Sequence, residues 1–128
     1  MTQLKTLPSM SHTFTISVKG NETKKIYDGT FTYERLTLGG RLKVNKMEAK
    51  LREDLSSLDD DVRIYVEMIS FLRYGLTSYP KFWEDSNYGL ELFDVNVITT
   101  VWKETQNFEE KWDKQVNSPE DHKEAKVE

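Results

Sequence analysis

The chain has 128 residues, 37% of them hydrophobic, with a formal net charge of -4 and no cysteine, a size and makeup suited to one self-sufficient core. Lacking cysteine, it has no disulfide framework, thiolate metal site or cysteine nucleophile, and His12 and His122 alone supply imidazole. The opening MTQLKTLPSM lacks the apolar run of a signal peptide and no stretch is a transmembrane candidate, so the expectation is a soluble, cytoplasmic protein.

Residues 1–12, with Pro8 among several Ser and Thr, have no periodicity and read as a flexible arm. A single domain is expected over 13–114. From Thr13 the chain alternates strictly, with Phe14, Ile16 and Val18 on one side and Thr13, Thr15 and Ser17 on the other, the pattern of a half-buried strand. A second run puts Tyr27, Phe31 and Tyr33 on one face and Thr30 and Thr32 on the other. The two read as a β-hairpin over 13–35 around the turn GNET. Two strands are marginal alone, so the hairpin must lean on helices or on another chain.

Thr37 is placed to cap a helix over about 38–55, in which Val44, Met47, Leu51, Leu55 and Leu58 follow helical spacing. A second helix over about 61–76 contains VRIYVEMISFLRYGL, apolar on nearly all sides and therefore expected to be the buried centre of the fold. The run Asp59, Asp60, Asp61 precedes it, where acidic side chains cap free N–H groups and complement the helix dipole. The segment TSYPKFWEDSNYGLELF reads as an aromatic-rich loop. Asp94 is placed to cap a third helix over about 94–112, with Val97, Ile98, Val101, Trp102, Thr105, Phe108 and Trp112 on one stripe. Residues 115–128 are polar, acidic and expected to be disordered. The predicted class is α+β, mainly α: an N-terminal hairpin followed by three helices, the middle one packed between the other two.

Charge is unevenly spread, with ten Lys/Arg against four Asp/Glu over residues 1–52 and five against twelve over 84–128. This polarity argues against a nucleic-acid binder, which needs positive charge to dominate one face. It is compatible with protein contacts, with solvated faces that offset each other, and with head-to-tail self-association.

No constellation asks for an enzyme. The three adjacent aspartates lack the alternate spacing and closing glutamate of a calcium loop and read as a helix start. Glu34, Glu84 and Asp85 are the available carboxylates for acid–base work, with nothing to place them in one pocket. Gly39, Gly40 and Arg41 open a helix but lack the further glycines and the Lys-Ser/Thr of a nucleotide-binding loop. No metal or cofactor is expected.

The aromatics Tyr79, Phe82, Trp83, Tyr88 and Phe93 admit two readings, a cap on the helical core or an exposed partner-binding patch. In an extended segment the adjacent Phe82 and Trp83 would point opposite ways, one inward and one toward a partner.

Four segments, YDGTFTYERLTLGGRLKV, DDDVRIYVEMISFLRYGL, YPKFWED and DVNVITTVWKETQNFEEKW, taken in this order over roughly residues 13–113, resemble the tail assembly chaperones of bacteriophages, encoded near the tape-measure protein. The resemblance implies a non-enzymatic, ATP-independent chaperone in the cytoplasm of the infected bacterial host. Such a protein holds the tape-measure protein while tail-tube subunits polymerise around it, and family members are also made in a longer frameshifted form. On that reading Phe82, Trp83, Tyr88, Phe93, Trp102, Phe108 and Trp112 are the candidate partner-binding residues, with Trp102, Phe108 and Trp112 forming a groove wall. Neither nucleic acid nor membrane is implied as a partner. Two other classes stay open: a virion structural protein, such as a tail or head-to-tail completion subunit that adds a hairpin strand to a neighbour's sheet, and a small host-directed regulator that engages a basic target through its acidic end.

Overall fold

A computed structural model describes residues 7–53 and 59–117. The alternating β-branched and aromatic residues form strands β1 (Ser11–Lys19) and β2 (Ile26–Glu34), paired antiparallel along their whole length. Phe14 lies opposite Phe31, His12 opposite Tyr33 and Val18 opposite Tyr27, so one face is aromatic and aliphatic. The other face is a hydroxyl ladder in which the Thr13 and Thr32 hydroxyls are 3.0 Å apart and those of Thr15 and Thr30 are 2.9 Å apart. The expected hairpin is present, but β1 starts earlier than Thr13, because His12 continues the inward alternation and stacks on Phe14 and Phe108.

Residues 7–12 are therefore not a free arm. The Met10 carbonyl accepts from the Arg35 N–H at 2.9 Å, and the Pro8 carbonyl accepts from Trp112 Nε1 at 3.4 Å. The remainder of the predicted arm, residues 1–6, lies outside the described residues.

Helix α1 (Leu38–Arg52) starts as expected, with the Gly40 N–H donating to the Thr37 hydroxyl at 3.1 Å. Its predicted core positions Leu55 and Leu58 lie outside the described residues. Among those described, α1 buries only Val44, and Leu38 and Leu42 face solvent. Arg52 links its end to the next helix through Glu67, 3.2 Å away.

Helix α2 (Asp60–Gly75) packs between α1 and the last helix, as expected of the middle helix. Its burial differs from expectation. Ile69, Ser70, Leu72 and Gly75 are buried, whereas Val62 is 43% and Ile64 48% exposed. The apolar run thus divides: its C-terminal half fills the core against the sheet, while in its N-terminal half Tyr65 packs on the core and Val62 and Ile64 stay exposed. Asp59 takes the cap position without a side-chain capping bond, and the Asp60 carboxylate instead lies 3.6 Å from Arg63.

Two short elements are missing from the sequence reading. Strand β3 (Leu76–Ser78) adds to β2, with Leu76 opposite Tyr33, giving a three-stranded antiparallel sheet in the order β1-β2-β3. Helix α3 (Lys81–Asp85) lies inside the expected aromatic loop. Each is too short for a period to register. Helix α4 (Val95–Val116) runs past the predicted end, so Gln115 and Val116 are helical rather than part of the tail; residues 118–128 of that tail lie outside the described residues. The class is α+β, mainly α, as expected.

One core joins these elements. Phe31 stacks on Phe14 and takes the edge of Trp83, and Ile69 and Leu72 of α2 meet Val97, Ile98 and Val101 of α4. Gly29 of β2 lies under Pro80, the residue that opens α3: a Cβ there would come within 2.5 Å of the Pro80 ring. Gly29→Ala must push α3 off the sheet, and overpacking of this kind costs about 1–3 kcal/mol. The expected result is a lower urea midpoint at unchanged m value; an unchanged midpoint would show that Pro80 is free to move.

Candidate partner-binding surface

The site is built on the contact that joins the hairpin to α4. Asp94 was expected to cap α4 and does occupy the position before it, yet its side chain makes no capping bond. The carboxylate turns instead into the β1–β2 turn and is fully buried there. Oδ1 accepts from the Glu22 and Thr23 amides at 2.7 and 2.8 Å, and Oδ2 accepts from the Thr23 hydroxyl and from Tyr27 at 2.6 Å. Asn96 continues the clamp, its Nδ2 donating to the Lys19 carbonyl at 2.9 Å while Oδ1 accepts from the Asn21 amide at 3.0 Å. Gly20 makes room for the carboxylate, since a Cβ there would collide with it. Burial alone would raise the Asp94 pKa, but the bonds from Thr23, Tyr27 and the turn amides outweigh it and hold the carboxyl well below its usual range.

A second polar link ties β2 to the far end of α4. The buried Tyr33 hydroxyl donates to Glu109, which also accepts from Arg35 Nε at 2.9 Å. Burial, then the bond to Glu109, pushes the Tyr33 phenol pKa up. The Arg35 guanidinium lies over the Trp112 ring, 3.6 Å from its centre.

Between these links the predicted partner-binding residues separate into three groups. Trp83 is fully buried under Phe31, and Phe82 is half-buried with its ring edge-on to Tyr27 and Phe31, so both face the sheet. The extended-segment expectation of opposite directions fails because α3 is helical, where neighbours diverge by only about 100°. Tyr88 stands over Tyr79 and under the Arg73 guanidinium, 3.9 Å from its ring centre. It sits in a left-handed turn with Asn87 and Gly89, at φ values of 55, 56 and 96°, and such a conformation is strained for an aromatic residue.

Trp102 lines a hollow with Val44, Met68 and Phe71 on the α1–α2 side, while Phe108 and Trp112 line another with Pro8 and His12 on the β1 side. The three do not form one wall, because 102 and 108 are six residues apart and a helix carries that interval to a different face.

Phe93 is 74% exposed. Its neighbour Leu92, though not Phe93 itself, lines an apolar groove of about 240 Å³ between the N-terminal half of α2 and the segment leading into α4, walled by Val62, Tyr65, Val66, Leu90, Leu92 and Val95. Leu90 and Val62 are themselves exposed at its rim. This groove differs from the expectation that α2 is covered along its length: Leu90, Leu92 and Val95 stand across from Val62 and Val66 without closing over them, a spacing that is not visible without the packing.

A larger cleft of about 460 Å³ opens between α1, α2, α4 and the end of β2, lined by Arg35, Arg41, Asn45, Gln106 and Glu109 over a floor that includes Leu36, Val44 and Phe71. Of the candidate carboxylates, Glu34 ends β2 opposite Ser11, and Asp85 pairs with Lys81 at 3.1 Å on α3. They share no hydrogen bond among the described residues. No cluster of three or more metal-ligating side chains occurs among those residues, and none of their helices is long and apolar enough to cross a membrane. No protein-family model matches the chain, and no curated protein or solved structure matches it.

The lowered Asp94 pKa fixes the sign of a pH dependence. A carboxyl depressed on folding stabilises the fold above its unfolded value, near 4, and that contribution is lost as pH falls through the folded value. Asp94→Asn is therefore expected to melt lower than the parent at pH 7, with the gap narrowing below about pH 4. Thermal melts of both proteins between pH 7 and 2.5 check this, and a gap of constant size across that range would contradict the clamp.

Proposed function

We propose that this protein is a non-enzymatic tail assembly chaperone of a bacteriophage, acting in the infected host cell and binding the tape-measure protein, the tail-tube protein or both. The observation that carries the reading is the apolar groove between Val62, Tyr65 and Val66 of α2 and Leu90, Leu92 and Val95, left open by half of a strongly apolar helix. A groove of this kind takes the apolar face of an amphipathic helix, read at intervals of three and four residues. The rest of α4 is amphipathic and polar outward, which keeps such a complex in solution. The order of the four sequence segments supports the assignment to tail assembly.

A second reading, the virion structural subunit, is favoured by the free edge of the sheet. The bonds from the Gly20 amide to the Lys25 carbonyl and from the Arg35 amide to the Met10 carbonyl set the alternation of the ladder. By that alternation Phe14 and Ile16 bond to β2, and the backbone groups of Thr13, Thr15 and Ser17 point outward. Those outward groups have no hydrogen-bond partner among the described residues. An added strand would dock there. The edge is blocked by Thr15→Pro, which spares the β1–β2 ladder, whereas Ile16→Pro would break the hairpin itself.

Mass spectrometry of producing cells and of purified particles separates the two. The chaperone reading expects the protein in lysate, bound to tape-measure or tube protein, and absent from particles. Stoichiometric presence in particles, with assembly lost in a folded Thr15→Pro variant, would overturn it. Leu90→Asp with Val62→Asp, both at exposed positions on the rim of the groove, is expected to reduce capture of the partner about tenfold without altering the melt, the size typical of an interface hot spot.

A further inference from the structure

We propose that the cleft lined by Arg35, just after β2, and by Arg41 of α1 binds a carboxylate carried on an apolar body. Arg35 is preorganised: its Nε is held by Glu109 and its plane rests on Trp112. Its terminal Nη groups, the edge that pairs with a carboxylate through two parallel hydrogen bonds, make none among the described residues. Arg41 lines the same cleft from α1 and has no ion pair or hydrogen bond from its side chain among the described residues. Two cations face one carboxylate, Glu109, so the cleft retains a positive charge.

The rest of the lining sets the ligand's class. Asn45 and Gln106 offer amide groups beside the cations, and Leu36, Val44 and Phe71 give an apolar floor. A fully hydrated anion would leave that floor unused, and an apolar molecule without a charge would bury two guanidinium groups against nothing. An apolar acid uses both. At about 460 Å³ the cleft has room for an aromatic or branched side chain together with its carboxylate. Two sources present this chemistry, a small organic acid and the free C-terminus of a chain that ends in an apolar residue. The inference is independent of the apolar groove lined by Leu90 and Leu92, which lies on the opposite face of α2 and toward the other end of α4.

The test is titration by NMR with three probes: N-acetyl-phenylalanine, its amide, and a pentapeptide ending in phenylalanine with a free carboxylate. The acid is expected to shift signals of Leu36, Asn45 and Gln106 and to bind about tenfold tighter than the amide, the worth of a charge-assisted pair. A pentapeptide that binds tighter still assigns the site to a chain terminus, and one that binds more weakly assigns it to a small acid; either supports the proposal. Arg41→Gln, at an exposed position, is expected to weaken the acid by a similar factor with an unchanged melt. Lys43→Gln, which removes a nearby cation that does not line the cleft, is expected to have no effect. Equal binding of acid and amide, equal losses in the two variants, or no shift up to about 20 mM acid would overturn it.

Discussion

The four hydrogen bonds received by the Asp94 carboxylate hold the two halves of this molecule together. The hairpin is a local structure of β1 and β2, and α4 is a local structure of the last third of the chain. Neither has a reason in its own sequence to adopt one orientation toward the other. Apolar packing alone would tolerate sliding of α4 across the aromatic face of the sheet. The carboxylate removes that freedom, because a buried charge is tolerated only where its acceptor sites are filled, and they are filled in one position, over the turn that begins at Gly20. Asn96 adds two bonds to the same turn, and Tyr33, Glu109 and Arg35 repeat the arrangement at the other end of α4. With both ends pinned, the residues between them, Val97, Ile98, Val101 and Thr105, meet the core in a fixed register.

That fixed register determines what is left open. The sheet and α4 enclose the C-terminal half of α2 and reach only one side of its first two turns, so Val62 and Ile64 remain exposed in a sequence apolar enough to be buried. The segment from Ser86 to Asp94 follows the same half of α2. Its left-handed turn brings Gly89 against Ile69 and Trp83, where a side chain would not fit, and then leaves Leu90 and Phe93 at the surface. The groove is thus a consequence of how the core is closed, and the aromatic segment contributes to it chiefly by anchoring: Trp83 and Phe82 bind the loop to the sheet, and Leu90 and Leu92 after it form one wall.

Much of this architecture was legible in the residues. The alternation from Thr13 to Val18 and from Tyr27 to Tyr33 has a period of two, Thr37 is a capping residue in a capping position, and the apolar positions of α2 and α4 recur at helical spacing; each is a local signal. What was not legible depended on distant partners. Asp94 looks like a helix cap because caps are the local use of aspartate, and its actual partners are some seventy residues earlier in the chain. Leu76–Ser78 becomes a strand only because β2 offers an edge there, and the short helix Lys81–Asp85 follows Pro80, whose ring rests over Gly29 of β2. The seven aromatics chosen as a binding surface show the same limit, since hydrophobicity marks Trp83 and Phe93 alike and only packing separates the buried ring from the exposed one.

On the proposed reading, the N-terminal half of α2 and the segment leading into α4 are held open by the fold to receive a partner helix. Amide hydrogen exchange, read along α2 and from Ser86 to Asp94 in the free protein and after capture of the partner from producing cells, tests it directly. Slow exchange over Ile69–Leu72 in both states, with protection of Val62–Glu67 and of the Phe93 segment gained only in the complex, is the result this account predicts. Equal protection along the whole of α2 in the free protein, or a complex that leaves this half unprotected, would contradict it.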